Sequence, residues 1–226
     1  MGSATVQSRR KSMDDMLEDK RRSKGEATRM ALLEAALVLF GERGFEGTST
    51  RDIAGLAGCN QGLISFHFGG KEGLYDAART VIFENLGSIV RPMTRRLEEA
   101  LAAETDAAAL CGMLQTEITA ILTTFIRKQH HQSWFLLLRR SLHVGDEKTR
   151  ELHSALFLPL LDVIGRILAK AGPAGEDSAL KAFLLVDMAF SILRDYPMFS
   201  AISPARDAEA DARELAGMLF RGILAR

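Results

Sequence analysis

The sequence predicts an all-α protein, with a three-helix module near the amino terminus followed by a larger helical domain. Three observations carry this. Apolar residues recur at spacings of three and four from about Met30 onward, the stripe of an amphipathic helix. Glycines, prolines and short polar clusters fall between the periodic segments, and no convincing stretch of strand-like alternation is found. A chain of 226 residues is long enough for a small module attached to a larger one.

Residues 1–24 are polar and mixed in charge, and read as a disordered or frayed arm. Order begins near Gly25, where Met30, Leu33, Leu37 and Phe40 form the apolar stripe of a first helix closed by Gly41 and Gly44. Next, Ser49 and Asp52 have capping-box spacing ahead of Ile53 and Ala54, so a second helix starts there. Gly58 can take the left-handed conformation that ends it, and Asn60 is a natural N-cap for a short third helix, about Gln61 to Phe66. Gly69 and Gly70 break that helix, and Lys71 to roughly Leu86 resumes a helical pattern. Further helices are predicted over 89–103, 106–130, 132–144, 147–171, 177–195 and 207–225, with a kink or break at Pro159. Residues 172–175 and Tyr196 to Pro204 read as loops. The domains are thus an arm over 1–24, a module over 25–78 and a helical domain over 79–226.

Residues 49–66 have the dimensions of a helix-turn-helix: a capped helix, a glycine-containing turn and a second short helix. The same pattern also describes an ordinary helical corner. In a DNA-binding version the first helix braces across the phosphates while the start of the second reaches base edges in the major groove.

Composition alone points to no partner. The 29 basic residues balance 29 acidic ones, so bulk charge does not suggest nucleic acid. The longest uninterrupted apolar runs stop well short of a bilayer-spanning length, and the amino terminus has no signal-peptide pattern. A soluble cytoplasmic protein without a membrane partner is expected. Cys59 and Cys111 are far apart and read as small hydrophobes in helices. No Ser-His-Asp order, apolar carboxylate pair or metal-ligand spacing stands out, so neither an enzyme, a metal nor a cofactor is expected.

The run Ala35, Ala36, Phe40, Gly44-Phe45, Thr48 to Ala54, Ala57-Gly58, His67-Phe68, Lys71-Glu72 and Leu74 resembles the DNA-binding domain of the TetR family. The resemblance implies a homodimeric regulator, usually a repressor, bound to double-stranded palindromic operator DNA and released by a small-molecule effector. One departure is visible: Ser65, beside Phe66, stands where the family usually has a tyrosine. On the remaining matched positions, Ser49, Thr50 and their helix start are expected to hold a phosphate. Gln61 is expected to read a base, since its amide can pair bidentately with adenine. Asn60 either reads a base or caps, and Gly62 permits close approach to the DNA backbone. His67 and Lys71 are expected on phosphate. Ser65 and Phe66 lie on the same DNA-facing stretch, and Phe68 is assigned to the core. Arg51 either contacts phosphate or pairs with Asp52 or Glu46. The basic cluster Lys20, Arg21, Arg22 and Lys24 is either a minor-groove arm or a solubilising tail.

Residues 106–200 concentrate aromatic side chains, read either as core or as the lining of an apolar effector pocket. The expected ligand-binding residues are Met113, Phe125, Trp134, Phe135, Arg139, His143, Phe157 and Phe183, with His130, His131 and Arg140 as further polar groups. The segment Trp134 to Arg140 and the helix after it also resemble the CecR-like subgroup. The resemblance places the homodimer interface on helices 177–195 and 207–225, whose apolar faces suit a four-helix contact. An interaction protein with the same fold and no operator remains the alternative, motivated by Ser65 and the balanced charge.

Overall fold

A computed structural model describes the backbone of residues 3–103, 106–127, 132–144, 147–172, 177–202 and 207–224. Side chains are described for residues 23–103, 106–127, 133–141, 147, 149–172, 177–201 and 207–223. All regular structure among the described residues is α-helical. The chain divides into two compact units, Met1–Ala78 and Arg79–Arg226.

The first unit holds α1 (Ser3–Arg43), α2 (Thr50–Leu56), α3 (Gly62–Phe68) and the start of α4 (Lys71–Ala102). Helix α1 reaches back to Ser3, where the sequence reads as an arm without regular structure. Residues 3–24 contain neither proline nor glycine and are rich in Lys and Arg, with two Met, all strong helix formers. Leu32, Leu33, Ala36 and Phe40 are fully buried or nearly so, whereas Met30 is exposed and lies outside the core. Gly44 closes α1 with a φ of 76°, a conformation open to glycine at little cost.

Three rings knit this unit. Tyr75 meets Phe40 and Phe45 edge-on, both at 5.0 Å between centroids, a favoured arrangement for aromatic pairs. Thr48 is buried, and its hydroxyl lies 3.1 Å from the Leu39 carbonyl and 2.8 Å from that of Gly44. It thereby satisfies backbone acceptors at the end of α1, where no intrahelical donor is available.

The second unit holds most of α4 together with α5 (Ala107–Arg127), α6 (Gln132–Val144), α7 (Glu147–Ala171), α8 (Ser178–Ile202) and α9 (Ala208–Leu224). Helix α5 buries Leu110, Leu114, Ile118 and Leu122, a four-residue repeat that keeps one face inward. It packs on α9 and α7, and α7 packs in turn on α8. Polar links tie these helices together. Arg96 on α4 donates two hydrogen bonds of 2.6 Å to Glu117 on α5, and Arg79 donates to the Thr149 hydroxyl on α7 in a buried pair.

Three helix boundaries differ from those the sequence predicts. Residues 71–102 form one helix, with Gly87 and Pro92 inside it, rather than two. Helix α7 runs unbroken through Pro159. Helix α8 continues through Pro197 to Ile202, where a loop is expected. Proline costs a helix one N–H and a steric adjustment; here buried apolar neighbours on these helices outweigh that local preference. Helix α5 and Thr149–Ala171 are long and apolar enough to cross a membrane by length and composition. Buried helices of a packed bundle meet the same description, and both helices direct residues into the interior.

Candidate nucleic-acid interface and effector cavity

The helix-turn-helix is built from its caps. Ser49 is the N-cap of α2, and its hydroxyl accepts from the Asp52 N–H at 3.1 Å while donating to the Asp52 carboxylate at 2.6 Å. The Ser49 N–H donates back to the same carboxylate, which completes a capping box. These hydrogen bonds from Ser49, helped by the charges of Arg43 and Arg51, hold the Asp52 carboxyl below its usual range. Arg43, at 4.0 Å, supplies the ion-pair partner of Asp52 that the sequence reading sought in Arg51. Arg51 itself is exposed.

Gly58, with a φ of 64°, carries the chain out of α2. Helix α3 begins at Gly62, so Gln61 rather than Asn60 occupies the N-cap position. Asn60 still acts as a local cap, because its side-chain oxygen accepts from the Gly62 N–H at 2.8 Å. Gln61 turns the other way, and its amide nitrogen donates to the Thr50 hydroxyl at 2.8 Å. The two short helices are thus joined through polar groups on their exposed side.

On α3, Ile64 is buried while Gln61, Gly62, Ser65 and Phe66 are exposed. Their spacing puts them on one outward face. Phe66 is 79% exposed, and its ring meets that of His67 at 4.9 Å. Phe68 is half-buried rather than central to the core, with the Arg29 guanidinium 5.4 Å from its ring centre. Lys71, at the start of α4, holds its ammonium 4.1 Å from the ring centre of Phe45. The outward side of α3 thus presents Gln61, Ser65 and Phe66, with Lys71 following it in the chain; polar and cationic groups of this kind can bind phosphate. Of the basic cluster before the module, Lys24 is exposed, and the side chains of Lys20, Arg21 and Arg22 lie outside the described residues.

In the second unit a cavity of about 390 Å³ opens among α6, α7 and α8. It brings together four of the expected ligand-binding residues: Phe135, Arg139, Phe157 and Phe183. Three others are elsewhere. Phe125 lines a separate apolar void of about 50 Å³, and Met113 is exposed on α5. Trp134 is half-buried and outside the cavity lining. The side chain of His143 lies outside the described residues, as do His130 and His131. The cavity also holds His153, Asp187 and Arg194, which the sequence reading missed. Continuing the helical repeat from Phe183 through Asp187 and Phe190 to Arg194 would have found two of them. Burial pushes the His153 imidazole below its ordinary pKa.

Residues 32–78, which contain the whole helix-turn-helix, match the family profile described as bacterial regulatory proteins, tetR family. Its amino-terminal unit is therefore similar to the DNA-binding domain of that family. Among curated relatives, the transcriptional dual regulator CecR of Shigella flexneri is 41% identical over 88 residues. That match spans 38% of this chain and 39% of CecR. The transcriptional regulator BetI of Burkholderia mallei is 26% identical over 151 residues, 66% of this chain and 76% of BetI. Among solved structures, the ketosteroid transcriptional regulator KstR2 of Mycobacterium tuberculosis superposes with a TM-score of 0.63 at 18% identity, covering 88% of this chain and 95% of KstR2. The SmeT–triclosan complex gives 0.53 at 22% identity, covering 87% of this chain and 91% of SmeT. At these identities the structural likeness shows a shared fold.

CecR and BetI, the relatives with which the chain shares this region, are both transcription regulators. Among the described residues no group of three or more His, Cys, Asp or Glu side chains could hold a metal. Cys59 and Cys111 are both free and half-buried, and burial raises the pKa of the Cys111 thiol.

Proposed function

We propose that this chain is a cytoplasmic, homodimeric repressor whose grip on a palindromic operator is released by a small apolar or amphipathic effector. The observation that carries the reading is the presence, in one chain, of a capped helix-turn-helix with an outward polar face and a separate helical unit with a cavity of about 390 Å³. That volume lies within the range of small-molecule sites. The triclosan bound to SmeT supports the ligand half of the proposal. The exposed apolar residues Leu180, Leu184 and Met188 on α8 and Met218 on α9 support a dimer through these two helices.

Within the DNA-binding face, Thr50, the first N–H groups of α2, His67 and Lys71 hold phosphate, Gln61 reads a base, and Ser65 and Phe66 approach the groove. Asn60 and Ser49 act chiefly as caps, because their side-chain oxygens already accept backbone N–H groups. Repression ends when an effector prefers the conformer whose recognition helices are wrongly spaced. A coupling of about 1–3 kcal/mol releases DNA roughly 5–150-fold.

The test is footprinting of the intergenic DNA beside the gene, followed by titration of salt and of a metabolite and drug library. A two-fold symmetric footprint is expected, with half-sites on one face of the duplex. Lys71→Ala should weaken operator and random DNA alike and lower the salt slope by about 1. Binding that shows no sequence preference at any salt concentration would favour an interaction protein of the same fold.

A further inference from the structure

The geometry points to a definite chemistry for the effector: an organic monocarboxylate with a compact aromatic body, its rings on the phenylalanine wall of the cavity and its carboxylate on Arg139. This inference rests on the cavity among α6, α7 and α8 being the effector site. Phe135, Phe157 and Phe190 form one continuous apolar wall. The Phe190 ring lies 5.7 Å from that of Phe135 and 5.3 Å from that of Phe157, edge-on to both. A planar ring system seats well against such a wall, since offset and edge-to-face contacts add to the burial of area.

The charged groups of the cavity are unequally balanced. Arg194 is gripped by Asp195 through both Nε and Nη2, and the charge of Asp187 acts on it from two turns earlier. Two carboxylates therefore surround that guanidinium. Asp195 is held below the usual carboxylate range first by its hydrogen bond from Arg194 and to a smaller extent by the charge of Arg139. Arg139 lies at the exposed edge of the cavity, where its fork of donors matches a carboxylate bidentately.

The other polar groups favour the same head. His153, its ring tilted against that of Phe157 at 4.7 Å between centroids and favoured in its neutral form by burial, brings hydrogen-bonding capacity without a further positive charge. The Ser191 hydroxyl lines the same space and can donate. A cationic ligand would meet Arg139 and Arg194 and would have to compete with Arg194 for Asp187. A neutral hydroxyl or carbonyl head would accept a weaker hydrogen bond from Arg139 than a carboxylate does.

Isothermal titration calorimetry with 2-naphthylacetate, 2-naphthylethanol and 2-naphthylethylamine tests this, because the three share one ring system and differ in head group. The acid should bind about tenfold more tightly than the alcohol, as for one charge-assisted hydrogen-bonded pair, and the amine most weakly. Arg139→Gln, at an exposed position, should erase the acid's advantage while changing the alcohol less than twofold. Leu161→Trp, which fills the cavity, should abolish binding of all three, and Val186→Phe serves the same purpose if the first variant melts early. Equal affinities for acid and alcohol, both lost on filling the cavity, would overturn the carboxylate assignment and keep the cavity as the effector site. Binding that survives filling would overturn the site itself. No binding of any of the three would overturn the aromatic-acid class.

Discussion

The Gln61 side-chain amide donates to the Thr50 hydroxyl across 2.8 Å, joining the start of the recognition helix to the first turn of the helix before it. Both residues face outward and both are proposed to contact DNA. The bond fixes the Gln61 rotamer before DNA arrives, which lowers the side-chain entropy lost on binding. A threonine hydroxyl that accepts from Gln61 can still donate its own hydrogen to phosphate. Gln61→Ala should cost about 1–3 kcal/mol on operator and little on random DNA. Thr50→Val should weaken both, and the two substitutions together should lose less than the sum of their separate effects, because they share a partner. Quantitative gel-shift titrations of the single and double variants check this. Equal losses on specific and random DNA for Gln61→Ala would remove it as a base reader.

Much of this interface was legible in the sequence because capping chemistry is local. Ser49, Asp52 and Gly58 announce a helix start and a helix end within a few residues of themselves, and the structure uses each as its chemistry suggests. Helix ends decided by tertiary burial were less legible: the sequence reads a break after about Leu86 and a loop from Tyr196 to Pro204, yet α4 continues to Ala102 and α8 to Ile202. The cavity was half legible. Phenylalanines signal an apolar lining, but that Arg194 turns onto its neighbour Asp195 depends on side-chain rotamers that the sequence pattern does not report.

Two helical glycines illustrate the same limit and give opposite expectations. At Gly25 in α1 an added Cβ would meet nothing within 4 Å, so Gly25→Ala should stabilise the first unit by up to about 1 kcal/mol. At Gly73 in α4 an added Cβ would run into the Phe68 carbonyl oxygen, which belongs to the backbone at the end of α3. Gly73→Ala should therefore destabilise despite alanine's better helix propensity, and should displace the recognition helix. Urea melts of both variants, with operator titration of the second, decide the matter; a stabilised Gly73→Ala would disprove the close approach.

Tyr196 on α8 donates to the Asp211 carboxylate on α9 at 2.6 Å, while the other oxygen of that carboxylate is buried without a hydrogen-bond partner. Tyr196→Phe would leave both oxygens without this donor, so it should cost about 1–3 kcal/mol at neutral pH. Burial and the Asp211 hydrogen bond push the phenol up to about 12 from an ordinary 10.0. In the folded state the proton is therefore retained longer than in the unfolded chain. The stabilisation is fully present below pH 10 and is lost as pH rises towards 12. Denaturation curves at pH 7, 10 and 11 should show a falling stability that Tyr196→Phe flattens; parallel curves for the two proteins would remove this linkage.

The exposed stripe on α8 gives a prediction about assembly. Leu180, Leu184 and Met188 are 52%, 41% and 44% exposed and follow one another at four-residue intervals, so they form a single apolar ridge on the helix. A ridge of this kind is costly to leave in water and is a frequent mark of an interface. If two copies meet through it about a two-fold axis, every substitution enters the contact twice. Leu184→Glu would then place two like charges in one apolar seam, a cost of several kcal/mol for the dimer. For the isolated fold the cost is small, because Leu184 is already in contact with solvent and exposed substitutions usually stay within about 0.5 kcal/mol. Light scattering behind a sizing column should report a monomer for Leu184→Glu and a dimer for the parent. Operator affinity should fall steeply, since one recognition helix reaches only one half-site, while the helix content by circular dichroism and the titration of 2-naphthylacetate stay near parental values. A variant that remains dimeric with full operator affinity would move the interface off this ridge of α8 and leave its apolar residues to another contact.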